Sequence, residues 1–412
     1  MVSASLAEDG PTIRRSLRRA GRRRRIEAWL LIAPLVAFLL LVFVAPIAGM
    51  LWRAVDDRDV APVMPRTVAA LAGWQGDELP GEDAFAALAA DLAQARADKS
   101  LPAAARRLNY DRNGYRTVVT NTARKLPDSP QGSWRETLTA LDPAWGQVEI
   151  WGAIARAAGP TTDFYLLAAL DLRRDAAGAI LPSPPEESIY RQVFLRTFLV
   201  ALSVTALCLV IGFPVAYLLA TRPPRIANIL MILVLLPFWT SLLVRTTAWV
   251  VLLQTNGVVN ESLTGLGLVG EPLQLVYNRV GVLIAMTHVL LPYMILPLYS
   301  VMRSIPPAHL RAAYSLGARP VGAFLRVYLP QTLPGIGAGA LLVFILALGY
   351  YITPALVGGP ADQMISWFIA FYTTSTVNWG MASALGLLLL VATLALYAVY
   401  ARLVGADRMR LG

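Results

Sequence analysis

The chain has 412 residues, of which 56% are hydrophobic and 15% are charged. This apolar content exceeds what a single soluble core usually buries, so it argues against a soluble globular protein and for membrane-spanning helices. The formal net charge is +10, and the single cysteine excludes an intrachain disulfide.

Long uncharged stretches divide the chain. Each is near or above the roughly 20 residues that a helix needs to cross about 30 Å of hydrocarbon. We therefore predict an all-α polytopic membrane protein with six transmembrane helices. The predicted spans are Ala28–Trp52, Thr197–Thr221, Ile226–Val244, Val280–Met302, Thr332–Ala361 and Trp379–Ala401.

The first span follows an arginine-rich segment, residues 1–27, which resembles the start of a signal peptide. A secretory apolar region usually has about 7 to 15 residues, and this one is longer and lacks a clear cleavage site. We predict a basic cytoplasmic tail over residues 1–27 and a retained membrane anchor over residues 28–52.

A long polar segment, residues 53–190, follows the anchor. Apolar residues recur at helical spacing at Phe85, Leu88 and Leu92, and again around Trp151 and Ile154. This periodicity predicts a small helical lobe, and a partly ordered loop on the membrane surface is the open alternative.

Arginine is distributed unevenly between the connections. It is frequent before the first span, in the "TRPPR" turn, between Arg303 and Arg326, and after the sixth span, whereas residues 254–278 and 362–378 contain none. The positive-inside rule then places both termini, including the short tail 406–412, in the cytoplasm and residues 53–190 outside it. Topology and contact with anionic lipid explain the positive charge, so we do not expect nucleic acid as a partner.

Motifs for enzyme chemistry are missing from the sequence. Neither lysine, Lys99 or Lys125, stands in a P-loop, and the two histidines, His288 and His309, form no His-Glu-x-x-His pair. No Gly-x-Ser-x-Gly elbow occurs either. We therefore expect no catalytic residue, metal site or cofactor in this chain, although a membrane-embedded enzyme stays a distant alternative.

The six predicted spans contain no Asp or Glu. An ion-coupled carrier normally needs ionisable groups at membrane depth, and His288 is the one imidazole inside a predicted span. A structural hydrogen bond explains a lone histidine better than a proton relay does, so a secondary carrier is the weaker alternative.

The loop 303–331, between the fourth and fifth spans, contains glycine and proline residues at regular intervals. It predicts a first helix over Pro306–Leu316, with Ser304 as its cap and Gly317 as the left-handed residue that closes it. The small Ala312 and Ala313 would let another surface approach closely.

A second short helix is predicted to begin at Pro320 and to run toward Leu329. Pro330 and Pro334 are predicted to break it before the fifth span. The loop is therefore predicted to be a compact docking unit between two membrane helices.

This loop resembles the cytoplasmic signature of the membrane subunits of type I ABC importers: Glu-Ala-Ala, three residues, Gly, nine residues, then Ile-x-Leu-Pro. The spacing is kept in full, with valine at the isoleucine position and arginine at the acidic one. The corresponding residues are Arg311, Ala312, Ala313, Gly317, Val327, Leu329 and Pro330.

The resemblance implies a type I ABC importer permease fold with a large extracytoplasmic insertion after the first helix and a permease core over residues 191–405. It also implies a non-catalytic subunit of a bacterial inner-membrane importer, whose loop inserts into a separate ATPase dimer that carries ATP and magnesium. A second permease subunit, or a second copy of this chain, and an extracytoplasmic solute-binding protein would complete the assembly.

Other segments, such as "LPFWTSLLVRTTAW" and "HVLLPYMILPLYSVM", are similar to the spermidine/putrescine subgroup of these permeases. This similarity implies a polyamine as cargo. Arg245 would repel a cation, so either a partner permease supplies acidic groups or the cargo is another small solute, such as an anionic or metal-complexed one. The candidate residues of the solute pathway are Trp239, Arg245, His288, Tyr350 and Tyr351.

Overall fold

The structure is a computed structural model that describes residues 28–130, 132–175 and 178–404; the predicted tails 1–27 and 406–412 lie outside the described residues. Within them, six helices are long and apolar enough to cross a membrane. The predicted all-α fold with six spans is thereby confirmed. These spans are Ala28–Trp52, Tyr190–Thr221, Leu242–Gly265, Arg279–Ser304, Pro320–Gly349 and Trp379–Arg402. The third of them consists of two consecutive helices, Leu242–Leu253 and Val258–Gly265.

The first helix, α1 (Ala28–Trp52), belongs to a separate unit that ends at Arg53. A wider π-helical turn, Leu40–Val44, interrupts its regular hydrogen bonding just before Pro46. Such turns take up the misfit that a proline creates inside a helix, because proline has no backbone N–H to donate.

The second unit begins at Ala54 with a lobe of seven helices and one hairpin, counted over the described residues. Antiparallel strands β1 and β2 form the hairpin, with Leu172 opposite Pro182. The elements are α2 (Pro65–Ala70), α3 (Glu82–Ala97), α4 (Leu101–Asp111), α5 (Tyr115–Lys125), α6 (Trp134–Leu141), α7 (Val148–Arg156), α8 (Phe164–Ala169), β1 (Leu172–Arg174) and β2 (Ile180–Pro182).

Aromatic residues form the centre of the lobe. The rings of Phe85 and Trp151 lie 4.5 Å apart, and those of Trp145 and Trp151 lie 5.7 Å apart. Both indole N–H groups are satisfied, because Trp145 donates to the Thr122 hydroxyl and Trp151 donates to the Trp145 carbonyl. Phe85, Leu88, Leu92, Trp151 and Ile154, which carried the helical periodicity, are all fully buried.

A buried ion network ties the first residues of the lobe to its helices. The Arg107 guanidinium on α4 donates to both carboxylate oxygens of Asp57 at 2.7 Å and to Asp111 at 2.5 Å. Its side chain is fully buried, and it lies 4.5 Å from the centre of the Phe164 ring. Arg156 also donates to Asp111, at 2.9 Å, so the two carboxylates face two guanidinium groups and each charge is compensated, as burial in a low-dielectric interior requires.

The end of the lobe is joined to the membrane helices by two contacts. The Asp171 carboxylate accepts hydrogen bonds from the backbone N–H groups of Tyr190 and Arg191, which begin the second span. The Tyr165 ring packs so closely on Gly380 that an added Cβ at this glycine would clash with it. The lobe is thus attached to the N-terminal ends of the second and sixth spans.

Three membrane helices share the central core of this second unit: α9 (Tyr190–Thr221), α13 (Arg279–Ser304) and α15 (Pro320–Gly349). Their buried contact surface includes Val204, Leu290 and Ala347. The remaining helices are α10 (Pro224–Leu235), α11 (Leu242–Leu253), α12 (Val258–Gly265), α14 (Pro307–Ser315), α16 (Ile352–Val357), α17 (Ile365–Thr374) and α18 (Trp379–Val404).

The predicted third span, Ile226–Val244, is wrong as a single helix. Helix α10 ends in a tight turn, Leu236–Trp239, and Thr240 has extended backbone. The Ser241 hydroxyl then accepts a hydrogen bond from the Val244 N–H and caps α11. Pro237 and this capping serine set the break, which the uniform apolar composition hides.

The predicted fifth span, Thr332–Ala361, is wrong at both ends. Helix α15 already begins at Pro320 and passes through Pro330 and Pro334, which were predicted to break it. A π-helical turn, Phe324–Tyr328, precedes Pro330 and accommodates its missing donor. At the other end α15 stops at Gly349, and a separate helix, α16, follows.

Candidate functional site

The loop 303–331 forms the first candidate site. Helix α14 ends at Ser315, and Gly317 follows with a φ of 81°, the left-handed conformation predicted from its position. Its N–H donates to the Tyr314 carbonyl, and the Ala318 N–H donates to the Ala313 carbonyl. The predicted cap is wrong, because the Ser304 hydroxyl donates to the Val301 carbonyl instead.

The structure divides the predicted loop residues into a tip and a base. At the tip, Arg311 and Ala312 are exposed on α14 and Ala313 is buried beneath them. Gly317 closes this tip. The base, at the start of the membrane-spanning part of α15, comprises the half-buried Val327 and Leu329 and the exposed Pro330.

Apolar side chains project from the tip. Leu316 is 89% exposed and Val321 70% exposed, and Tyr314 and Leu325 are also exposed. Contiguous exposed apolar residues with a polar rim mark interaction surfaces. We call these four residues the tip surface. The sequence analysis did not predict it. The available signal was the presence of large apolar residues in a loop that is too charged to span a membrane.

The tip surface has a positive rim. The loop contains Arg303, Arg311, Arg319 and Arg326, all exposed, and no Asp or Glu from residue 303 to residue 331. A protein partner would therefore need an apolar groove with an acidic edge.

Stacked rings connect the tip surface to the membrane helices. Phe324 and Tyr328 stack with centroids 5.6 Å apart, and Tyr217 on α9 meets Tyr328 edge-on at 5.5 Å. His309 Nδ1 on α14 also lies 2.7 Å from Gln331 Oε1 on α15. Force applied to the loop would therefore reach α9 and α15 through packed contacts.

A second candidate site lies among the membrane helices. Arg245 on α11 lies close enough to His288 on α13 and to Tyr350, which follows α15, for its charge to act on both. The Nε atom of Arg245 is buried and has no hydrogen-bond acceptor among the described residues. Three of the predicted pathway residues thus come together.

The other two predicted pathway residues lie outside this cluster. Trp239 is 83% exposed at the end of the tight turn after α10, and Tyr351 is 42% exposed beside Tyr350. Trp249 joins the cluster instead, because its indole N–H donates to His288 Nδ1 at 3.1 Å. An imidazole that accepts at Nδ1 is neutral, with its proton on Nε2.

Residues 185–406 match the family of binding-protein-dependent transport system inner membrane components. The chain belongs to this family. It is thus an ABC importer permease subunit and a multi-pass inner-membrane protein, which confirms the resemblance seen in the loop. Most of the lobe precedes the matched residues.

Several relatives of this permease subunit are known. The spermidine/putrescine transport system permease protein PotB of Escherichia coli is 34% identical over 216 residues, which cover 52% of this chain and 78% of PotB. The probable sulfate transport system permease protein cysT of Nephroselmis olivacea is 27% identical over 264 residues, or 61% of this chain and 90% of cysT.

A solved structure is also similar to this permease subunit. It is the crystal structure of the bacterial alginate ABC transporter in complex with alginate pentasaccharide-bound periplasmic protein. The matched chain is 19% identical, with a TM-score of 0.43, and the match covers 55% of this chain and 81% of that one.

The His288→Gln variant is expected to leave uptake and its pH dependence nearly unchanged. A glutamine oxygen can still accept from Trp249, so the hydrogen bond survives without a titrating group. His288→Leu is the matched contrast: it leaves the indole N–H unpaired and should destabilise the fold by about 1 to 3 kcal/mol. The measurement is uptake as a function of pH in wild type and in His288→Gln. A shifted pH dependence in His288→Gln would indicate a proton relay instead of a structural role.

Proposed function

We propose that this permease subunit forms the solute pathway of an ATP-driven importer. The loop 303–331 transmits the conformational change of the ATPase to the membrane helices. The tip surface is the observation that carries the proposal: Leu316 and Val321 lie exposed at the motif that resembles the coupling signature. ATP and magnesium would be bound by a separate ATPase dimer, whose groove covers this surface.

The complete assembly would contain further subunits. The pathway would be closed by a second permease subunit or a second copy of this chain, and an extracytoplasmic binding protein would deliver the solute. With both termini in the cytoplasm, the lobe would lie outside, at the ends of α9 and α18 to which Asp171 and Tyr165 fix it.

A polyamine is the cargo that the relatives favour. PotB, whose name specifies spermidine and putrescine, is 34% identical over 216 residues. The rings of Trp249 and Tyr350 lie in the cluster around Arg245, and aromatic faces attract ammonium groups.

An anionic solute is the second candidate, and Arg245 favours it. The guanidinium of Arg245 lies near the start of the span Leu242–Gly265, and its Nε is buried without an acceptor among the described residues. Such a group would attract a negative solute and repel a dication. The cysT relative, named for sulfate transport, is 27% identical.

Reconstitution in vesicles with the ATPase and binding protein would test the proposed function and separate the two cargoes. ATP-dependent uptake of labelled spermidine, undiminished in the Arg245→Gln variant, is the result expected for a polyamine importer. Uptake of sulfate that falls with Arg245→Gln would support the anionic cargo. Uptake that proceeds without any ATPase subunit would contradict the proposal and favour an ion-coupled carrier.

Excision of the helical part of the lobe is expected to weaken uptake when binding protein is limiting. The Asp57 N–H donates to the Pro160 carbonyl at 3.1 Å, so a short flexible linker can replace residues 59–158 without touching the Asp171 contacts. Asp57→Asn is combined with the excision, because the linker removes Arg107, which compensates the Asp57 charge. If the lobe orients the binding protein, excess binding protein should restore uptake, and co-purification of the ATPase should be unaffected. Unchanged uptake at limiting binding protein would contradict this role.

A further inference from the structure

A cavity of about 530 Å³ lies between the lobe and the adjoining ends of the membrane helices. Its size is within the range of small-molecule sites. Residues from α4, α5, α8 and the segment before α9 line one side, and α17 with the segment before α18 lines the other. The polar lining includes Arg106, Tyr110, Arg116, Glu187, Tyr190 and Tyr372.

Two arginines give the cavity its charge. Arg106 on α4 and Arg116 on α5 both line it, both have exposed side chains, and both are close enough to Tyr110 to act on its hydroxyl electrostatically. Neither guanidinium forms an ion pair with any residue that the structure describes. Glu187 is the one carboxylate among the described lining residues, so the cavity carries a net positive charge.

The uncharged groups of the cavity add hydrogen-bond donors. The Tyr110 hydroxyl is buried and has no partner among the described residues. Burial raises the pKa of Tyr110, so this hydroxyl stays protonated and able to donate. Asn113 and Ser375 supply an amide and a second hydroxyl on opposite sides.

The position of the cavity matches the surface of a bilayer. Tyr190, which begins α9, and Asn378, which precedes α18, both line it, so it lies at the level where two spans end. The hydroxyls of Tyr190 and Tyr372 are hydrogen-bonded to each other there, and tyrosine is enriched at the headgroup level. The phosphates of a bilayer lie just outside its hydrocarbon core.

We propose that this cavity binds a phosphate group through Arg106 and Arg116, and that the bound group bridges the lobe to the segment joining α17 and α18. Guanidinium groups bind phosphate through paired N–H donors, and the Tyr110 hydroxyl provides a further one. The phosphate belongs either to a phospholipid headgroup or to a free phosphate compound. The inference rests on the proposed function for one point, that the lobe lies outside the cytoplasm.

Native mass spectrometry of the purified full-length complex would test the site with defined probes. Short-chain phosphatidylglycerol is added to wild type and to the Arg106→Gln/Arg116→Gln double variant, with dihexanoylglycerol as the probe without phosphate. We expect the double variant to bind the phospholipid at least about tenfold more weakly, with no binding of dihexanoylglycerol to either protein.

Arg124→Gln is the matched control, because Arg124 is exposed on the same helix as Arg116 but does not line the cavity. It should bind the phospholipid like wild type. Inorganic phosphate that binds wild type and competes with the lipid would support the site, and phosphate binding without lipid binding would assign it to a free phosphate compound.

Equal binding by wild type and the double variant, or an equal loss in Arg124→Gln, would overturn the proposal. Failure of the proposed function would appear separately, as an assembly that lacks an ATPase subunit. The phosphate measurement does not depend on uptake.

Discussion

The Gly317→Val variant is expected to lose ATP-dependent uptake while its membrane helices remain inserted. Gly317 has a φ of 81°, and no atom lies within 4 Å of the position that a Cβ would take. The penalty is therefore conformational, about 1 kcal/mol or more for a β-branched residue in the left-handed region. Unwinding the last turn of α14 would relieve this strain and would turn Leu316 away from its partner.

Gly322→Val is the matched control for this prediction. Gly322 lies in the same loop and has no positive φ, and no atom lies within 4 Å of the position that its Cβ would take, so valine adds bulk without the same strain. Uptake in vesicles should fall at least about tenfold in Gly317→Val and much less in Gly322→Val, at matched expression. Normal uptake in Gly317→Val would show that the shape of this helix end is not needed for coupling.

The Arg107→Met variant is expected to unfold the lobe. It leaves Asp57, whose side chain bonds only to Arg107 among the described residues, as an uncompensated buried charge. Breaking a buried ion pair in this way costs about 3 to 5 kcal/mol, a large part of the stability of a typical domain. Limited proteolysis and thermal unfolding of the purified chain would measure the loss.

Arg58→Met is the control, because it removes the same charge from an exposed pair. Arg58 donates to Asp56 at 2.7 Å, but its side chain is 64% exposed, and exposed pairs contribute about 0 to 1 kcal/mol. The lobe of this variant should resist protease like wild type. Equal resistance in Arg107→Met would contradict the structural importance of the buried network.

The sequence predicts features that depend on composition and local spacing. Apolar composition predicts the number of spans, although the predicted run Ile226–Val244 overlaps the observed span Leu242–Gly265 only at residues 242–244. The glycine and proline residues of the loop 303–331 predict the left-handed conformation of Gly317. The bounds of the third and fifth spans were missed because they depend on the hydrogen bond that the Ser241 hydroxyl accepts from the Val244 N–H and on a π turn before Pro330, neither of which alters the hydropathy.

Contacts between distant residues were not predictable from one sequence. Arg107 and Asp57 are 50 positions apart, and only the packing of α4 against the start of the lobe brings them together. The same applies to Trp249 and His288, which meet because α11 and α13 are neighbours. The cavity under the lobe combines residues from both parts of the unit, so only the fold could show it.

Cross-linking from Leu316 tests most directly whether the loop 303–331 couples this chain to an ATPase. The native chain has one cysteine, Cys208, which is buried, so Leu316→Cys provides an accessible thiol at the tip surface. With a thiol–amine cross-linker, the assembled complex should give a product between Leu316→Cys and the ATPase subunit, and Arg124→Cys on the lobe should give none. A complex active in ATP-dependent uptake that yields no such product from Leu316→Cys would contradict the account.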